Sequence, residues 1–229
     1  MGSTGRGSGT SATTRTTCIL EPVDFSDEGQ CAELLRQREI CGWAKTQEDI
    51  AAWREATAAR IKSMFWIQKV VAEQDAQPPG AASSLIRIGH VSLDAEAEPP
   101  NLELANPHDR SVLTISRLFI LPEHRKGGVG RAAVAMLEEY ARQEPYGSRN
   151  CRTIAITTLS RRYCEEDAYR AEYLLASGES EPLQRGTSNE DWYARMGYVK
   201  WKDEPLYLQP MAGRQDFRLV AAYMRKAIA

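Results

Sequence analysis

The chain has 229 residues, with 29 Lys and Arg against 31 Asp and Glu and 42% apolar residues, proportions that fit one mid-sized globular domain. A formal charge of −2 gives no electrostatic drive toward nucleic acid, which needs a surplus of Lys and Arg to replace phosphate counterions. No apolar run approaches the roughly 18–20 residues that cross a bilayer, so neither nucleic acid nor membrane is an expected partner. The start, Met1-Gly2-Ser3-Thr4-Gly5-Arg6, lacks the apolar stretch of a signal peptide and places Arg6 where a myristoylation signal wants Ser or Thr. The five cysteines, Cys18, Cys31, Cys41, Cys151 and Cys164, show neither C-x-x-C spacing nor a companion His cluster. Their odd number suits reduced, buried thiols. The expectation is a cytoplasmic protein, a nuclear one staying open, with no bound metal.

Residues 1–16 are mostly Gly, Ser and Thr, too poor in apolar side chains to offset the entropy of ordering, and are expected to form a disordered tail. Residues 17–229 read as a single domain. Cys18-Ile19-Leu20 is a short strand. Asp24 to Asp27 supplies helix-start chemistry, after which Cys31, Leu34, Leu35 and Arg38 share one helical face up to Gly42. Thr46 with Asp49 forms a capping-box pattern for a second helix through Ile50, Trp53, Thr57 and Ile61. Residues 64–73 and 84–94, rich in β-branched and aromatic side chains and separated by Gln77-Pro78-Pro79-Gly80, predict an antiparallel pair.

A long loop at 96–110 leads into the strand 111–121, SVLTISRLFIL, which stops at Pro122. A helix follows at 127–143, with Val129, Ala133, Met136, Leu137 and Tyr140 on one stripe, and then an apolar strand at 153–159. Together they form a β-α-β unit, whose strands must run parallel with a right-handed crossover. The acidic stretch 161–184 reads as a helix, YCEEDAYRAEYLLA, ending near Gly178. Thr187 with Glu190 offers a cap for a short helix closed by Gly197. Residues 198–201 and 206–211 predict a final hairpin. Phe217, Val220, Ala221, Met224 and Ile228 predict a C-terminal amphipathic helix.

Site chemistry concentrates in Pro122-Glu123-His124-Arg125-Lys126-Gly127-Gly128-Val129-Gly130-Arg131. A strand ends, side chains vanish at Gly127, Gly128 and Gly130, and a helix begins, so unpaired backbone N–H groups face outward at the positive end of a helix dipole. Such a turn cradles phosphate, and Arg125, Lys126 and Arg131 add charge. A plain solvated turn is the bland reading. A dinucleotide site is a second, since Gly128 to Ala133 satisfies G-x-G-x-x-A. It lacks the context, because residues 122–126 separate the glycines from the strand and no acidic residue ends the next one. A P-loop lacks its Gly-Lys-Ser/Thr.

The whole stretch is similar to a known family. Arg125-Lys126-Gly127-Gly128-Val129-Gly130 resembles the R-x-x-G-x-G pyrophosphate loop of the GCN5-related N-acetyltransferase (GNAT) family, with its preceding strand and Pro-Glu-x-Arg turn. About sixty residues later, Trp192-Tyr193-Ala194-Arg195-Met196-Gly197-Tyr198 resembles that family's Y-x-x-x-G-F segment. The element order resembles it from about Cys18 to Met211. The resemblance implies an α/β (α+β) fold: a mixed, mostly antiparallel sheet of about six or seven strands, helices on both faces and a central β-α-β unit.

The same resemblance implies direct acetyl transfer from acetyl-CoA, as cosubstrate, to an amine, through a ternary complex in which no cysteine acts as nucleophile. The pyrophosphate would sit on the backbone of Arg125, Lys126, Gly127, Gly128, Val129, Gly130 and Arg131. The pantetheine arm would pair with Phe119, Ile120 and Leu121 where the strand splays, and an N–H there would stabilise charge on the thioester oxygen. Tyr193 maps onto the tyrosine that can protonate the departing thiolate; Asn189, one turn earlier on the same helical face, is a candidate contact to the pantetheine or adenine portion, although the family often places its asparagine elsewhere. The general base departs from the pattern: the inward positions of the strand before the turn are Thr114 and Ser116, neither basic, so His90, Asp94 and Glu103 are the candidate substitutes, while a water chain to backbone carbonyls, or an amine that arrives neutral, would need no base residue.

The expected partner is a small-molecule amine, probed by Trp43, Trp53, the loop around Glu103 and the acidic 165–181 segment, whose carboxylates would draw a cation. Two alternatives stay open: a protein or peptide N-acetyltransferase, and a non-catalytic acyl-CoA-binding or interaction protein that kept the fold without the strand carboxylate. Whether the chain is a monomer or a homodimer is also open.

Overall fold

The computed structural model describes residues 18–70, 85–209, 211 and 213–228. The expected N-terminal tail and the Gln77–Gly80 breaker lie outside the described residues. Strand β1 (Cys18–Pro22) leads to helix α1 (Glu28–Cys41), whose cap Asp27 accepts N–H bonds from Gly29 and Gln30 and whose end is Gly42 in the left-handed conformation. Helix α2 (Gln47–Ala58) opens with the Thr46–Asp49 capping box in place. Strands β2 (Lys62–Val70), β3 (Leu85–Asp94) and β4 (Val112–Ile120) form an antiparallel meander. A 3₁₀ turn at Pro122–His124 precedes α3 (Val129–Tyr140), and β5 (Thr153–Leu159) completes the β-α-β unit, parallel to β4. Then come α4 (Arg162–Glu165), α5 (Asp167–Ser177), α6 (Asn189–Ala194), β6 (Val199–Leu208) and β7 (Arg218–Ala227). The seven-stranded sheet runs β1-β2-β3-β4-β5-β7-β6, the mixed, mostly antiparallel architecture expected.

Each face of the sheet buries a different helix layer. On one, Val129, Ala133, Val134 and Leu137 of α3 pack on Phe65, Leu93, Leu113, Ile115, Ile154 and Ile156, joined by Tyr193 and Tyr198. On the other, Leu34 of α1 and Ile50 and Trp53 of α2 cover Met64 and Trp66. Burying side chains such as Leu137 and Leu34, both fully inaccessible, stabilises the fold by about 1.5–3 kcal/mol each. No helix among the described residues is long and apolar enough to cross a membrane.

The C-terminal segment corrects the helix expected there: residues 218–227 are strand β7, inserted between β5 and β6. As a central strand it is covered on both faces, Ala221 and Tyr223 packing with Ala97 and Ala155, Ala222 and Met224 facing the α3 side. Two-sided burial erases the alternation that betrays a strand. The expected hairpin within 198–211 is likewise one strand, β6, which pairs with β7. As an edge strand it accommodates Pro205, next to a register shift. The acidic helix is broken at Glu166, extended at φ −98° and ψ 123°, into α4 and α5. Ser188, one residue beyond the expected Thr187, caps α6.

Among the described residues one ion pair is internal: Lys62 Nζ lies 2.6 Å from Asp94 Oδ2, with side-chain exposures of 7% and 5%. Removing one partner strands the other charge, so Lys62→Ala is expected to cost about 3–5 kcal/mol in urea unfolding. A loss below about 1 kcal/mol would show that the pair is solvated.

Candidate active site

The site begins where two parallel strands part. Strand β4 pairs with β5 only at 112–114 against 153–155, although β4 runs on to Ile120 and β5 to Leu159. The cause is in β4. Between His90 and Ser92 of β3, the partner on β4 moves from Phe119 to Ser116, so β4 holds one extra residue, and Arg117 there has φ 55°. Such a bulge bends its strand and increases its twist. It also turns two neighbouring side chains to one face: Ser116 bonds Ser92, and Arg117 stacks over Trp53, both on the α1–α2 side, while Leu118 returns to the α3 side. Beyond Thr114 the ladder between β4 and β5 stops, with Phe119, Ile120 and Leu121 at the open end, where the Leu121 N–H is held by the Ile88 carbonyl and the Ile120 carbonyl by Arg125.

The glycine turn closes that end. Gly127 and Gly128 both have φ 79°, and Gly128 is the α3 cap with no side-chain bond to the first turn. No acceptor among the described residues takes the N–H groups of Lys126 through Arg131. A run of outward amides at a helix start suits an anion. The side chains of Arg125, Lys126 and Arg131 are exposed around it, although Arg125 folds back to donate from Nε to the Ile120 carbonyl at 3.0 Å. The third glycine has a separate reason. A Cβ on Gly130 would lie 3.2 Å from Trp192 and 3.3 Å from Ile120, so its bareness lets α6 press against the start of α3.

That contact fixes Tyr193, the neighbour of Trp192. Its ring packs edge-on against Trp192 at 4.8 Å and Tyr198 at 5.5 Å, and burial drives its phenol pKa well above the ordinary value, with Tyr207 nearby adding to the rise. Asn189, at the start of the same helix, is exposed. Tyr207 of β6 is a further residue at the site, one that no motif in the sequence marks. Burial pushes its pKa up to about 12, against the opposing effects of a hydrogen bond with Thr157 of β5 and the Arg117 charge. Its ring meets Trp43 of the α1–α2 loop at 6.0 Å. Tyr193 from one face and Tyr207 from the other therefore approach the same splay.

The expected base candidates are dispersed. His90 is fully buried; Nδ1 lies 3.0 Å from Gln37 Oε1 and Nε2 lies 3.4 Å from Arg38 Nη1. The first nitrogen therefore donates and the second accepts, leaving no free lone pair. Glu103 is bound to Lys202 at 2.5 Å, with 60% of its side chain exposed. Asp94 is different. Its Oδ2 accepts from Lys62 at 2.6 Å and from Ser116 at 2.6 Å, while its Oδ1 is buried without a partner. Ser116 occupies the inward strand position that lacks a carboxylate, so Asp94 places one a single hydroxyl away. Part of the acidic segment is paired locally: Glu166 with Arg162, Asp167 with Arg185, and Glu172 with Arg214.

Two outcomes are expected. Folded His90 has its pKa pushed down to about 3 by burial and by the Arg38 and Arg117 charges, whereas unfolded it takes a proton near about 6.5. The unfolded chain thus binds the extra proton in that window, so the contribution is intact above about pH 6.5. It is lost on acidification at up to about 1.4 kcal/mol per pH unit. Urea titrations from pH 7 to 4 should show a smaller acid loss in His90→Gln than in the parent; equal slopes would contradict it. A Cβ at Gly128 meets nothing within 4 Å, so Gly128→Val should stay folded, losing about 1–2 kcal/mol to backbone strain. Its coenzyme A affinity, measured by calorimetry, should fall at least about 100-fold, roughly 2.7 kcal/mol.

Comparison with known proteins places this geometry. A family model described as Acetyltransferase (GNAT) family matches residues 30–165. Among curated protein sequences none matches the chain. An aminoglycoside 6′-N-acetyltransferase complexed with coenzyme A superposes with a TM-score of 0.54 at 15% identity, covering 92% of this chain and 97% of that one. A spermidine N-acetyltransferase SpeG chimera from Vibrio cholerae and hSSAT gives 0.52 at 13% identity, over 92% and 95%. Arabidopsis thaliana NAA60 in complex with acetyl-CoA gives 0.52 at 15%, over 93% and 99%. At such identities the likeness is one of fold. The matched span exceeds half of the 229 residues, and the chain belongs to the acetyltransferase (GNAT) family.

Proposed function

We propose that the protein transfers an acetyl group directly from acetyl-CoA to the nitrogen of a small amine that arrives as an ammonium cation. The observation that carries this reading is the convergence, at one splay, of an unpaired β4 edge, a run of unpartnered amides from Lys126 to Arg131 and the buried phenol of Tyr193. Acetyl-CoA supplies the activated thioester. The amides of the glycine turn hold its diphosphate, with Lys126 and Arg131 adding charge, and the β4 backbone at Phe119, Ile120 and Leu121 orients the pantetheine arm as a neighbouring strand would. A β4 N–H beyond the bulge stabilises negative charge on the carbonyl oxygen.

Protons move at two places. Tyr193 keeps its proton at neutral pH because burial disfavours the phenolate, and it delivers that proton to the departing sulfur. Opposite it, Ser116 receives the amine's proton as its own passes to the Asp94 carboxylate, along the 2.6 Å hydrogen bond that joins them. Among the sequence candidates, His90 acts as a brace between α1 and β3, and Glu103 as a rim charge. The non-catalytic alternative drew on the missing strand carboxylate. Asp94 behind Ser116 supports the enzymatic reading instead.

Thiol release from acetyl-CoA across an amine panel, with calorimetry of coenzyme A, tests the assignment: binding without turnover on any amine would favour the non-catalytic reading. Tyr193→Phe should lower kcat about 100-fold, the lower range for a positioned acid, with coenzyme A affinity within about threefold of the parent. An unchanged kcat would remove Tyr193 from the mechanism. Ser116→Ala keeps the Lys62–Asp94 pair and should lower kcat at least tenfold with little change in Tm.

A further inference from the structure

The acceptor side of the splay is cationic, and its charges stand where a polyamine would be repelled. Arg117, at the bulge, stacks over Trp53 with its guanidinium 5.3 Å from the ring centroid. Arg38 lies 5.7 Å from the same ring centroid. Arg38 is 2% exposed; it donates to the Trp43 and Ala44 carbonyls and faces His90, and no carboxylate among the described residues lies within ion-pairing distance. Burial lowers its pKa, and the Arg117 charge lowers it further. The His90 beside them is neutral, and the nearby Lys62–Asp94 and Lys202–Glu103 pairs cancel internally. What remains is two guanidiniums against Glu98, which pairs with Arg117, and the more distant charge of Asp49, which acts on Arg38.

Glu98 is a loose partner. It touches Arg117 through one oxygen at 2.7 Å, and 72% of its side chain is exposed, a pairing worth about 0–1 kcal/mol. It engages Nη2 and leaves Nε of Arg117, on the same edge of the guanidinium, buried without a partner. A planar carboxylate fits that edge with both oxygens, the stronger bidentate arrangement. Arg117 also lies near enough to Tyr207 for its charge to act on the phenol, and Tyr207 bonds Thr157 of β5, the strand that faces Arg117's own strand β4 at the splay, so an anion on Arg117 sits beside that opening.

We infer that the acceptor is an amine that also carries a carboxylate, which displaces Glu98 and docks on the Nε–Nη2 edge of Arg117. This rests on the acetyltransferase reading and narrows it: the reacting end is an ammonium, the far end an anion. The carboxylate belongs either to a free amino acid or to an acidic side chain of a short peptide.

The test uses size-matched acceptors on the full chain with acetyl-CoA: ω-amino acids of rising length, their ω-amides and the corresponding diamines, beside α-amino acids and short acidic peptides. Amino acids should exceed their amides and diamines in kcat/KM at least tenfold at the best length, and the last two sets distinguish a free amino acid from a peptide. Arg117→Gln should bring the carboxylate-to-amide ratio close to one, Arg117→Lys should keep a part of it, and Glu98→Gln should lower KM for carboxylates at least threefold. Calorimetry with the N-acetylated products and their amides gives the same comparison without turnover. Amides or diamines used or bound as well as carboxylates, or a ratio unmoved by Arg117→Gln, would overturn the inference while leaving acetyl transfer intact. Failure of coenzyme A itself to bind would remove the underlying reading, and this inference with it.

Discussion

The arrangement depends on backbone hydrogen bonds that are not made. Strands β4 and β5 pair for 112–114 and then separate. An unpaired strand edge inside a protein is costly unless something occupies it. The bulge at Arg117 supplies the separation, and the glycine turn at the open end supplies a second set of unpaired amides. Both sets lie toward the open end of the splay, from the glycine turn to the point where β4 and β5 part. A chain with β4 fully paired to β5 would have no opening between the two strands.

Around that opening the two faces of the sheet have different duties. The α3 side is apolar and rigid, and it presents Tyr193 through the contact of Trp192 with Gly130. The α1–α2 side is polar beneath its apolar cover. It holds the Lys62–Asp94–Ser116 chain, the neutral His90 brace and the two guanidiniums beside Trp53. In the proposed reaction, proton delivery by Tyr193 and proton removal through Ser116 come from opposite faces of the sheet. The bulge serves both, because one extra residue turns Ser116 and Arg117 to the same side.

Much of this was legible from residue order. The glycine turn, α1 with its Gly42 end, the Thr46–Asp49 capping box and the parallel β-α-β unit follow from local chemistry that tertiary contacts reinforce. Strand β7 was not legible, since Ala, Met, Lys and Arg are good helix formers and two-sided burial leaves no alternating pattern. Tyr207 was hidden for a related reason: its importance comes from Thr157 and Trp43, which are distant in sequence. Part of the acidic segment's pairing was not legible, because Arg185 and Arg214, the partners of Asp167 and Glu172, lie downstream of those carboxylates. Arg117 carried no signal at all in the sequence; only the bulge gives it meaning.

The most direct test of the account is amide hydrogen exchange of the full chain with and without coenzyme A. The account predicts new protection in two stretches, Lys126 to Arg131 on the glycine turn and Ile115 to Ile120 along the open edge of β4, with little change on the outer strands β1 and β6. Binding that left both stretches exchanging as in the free protein would contradict it.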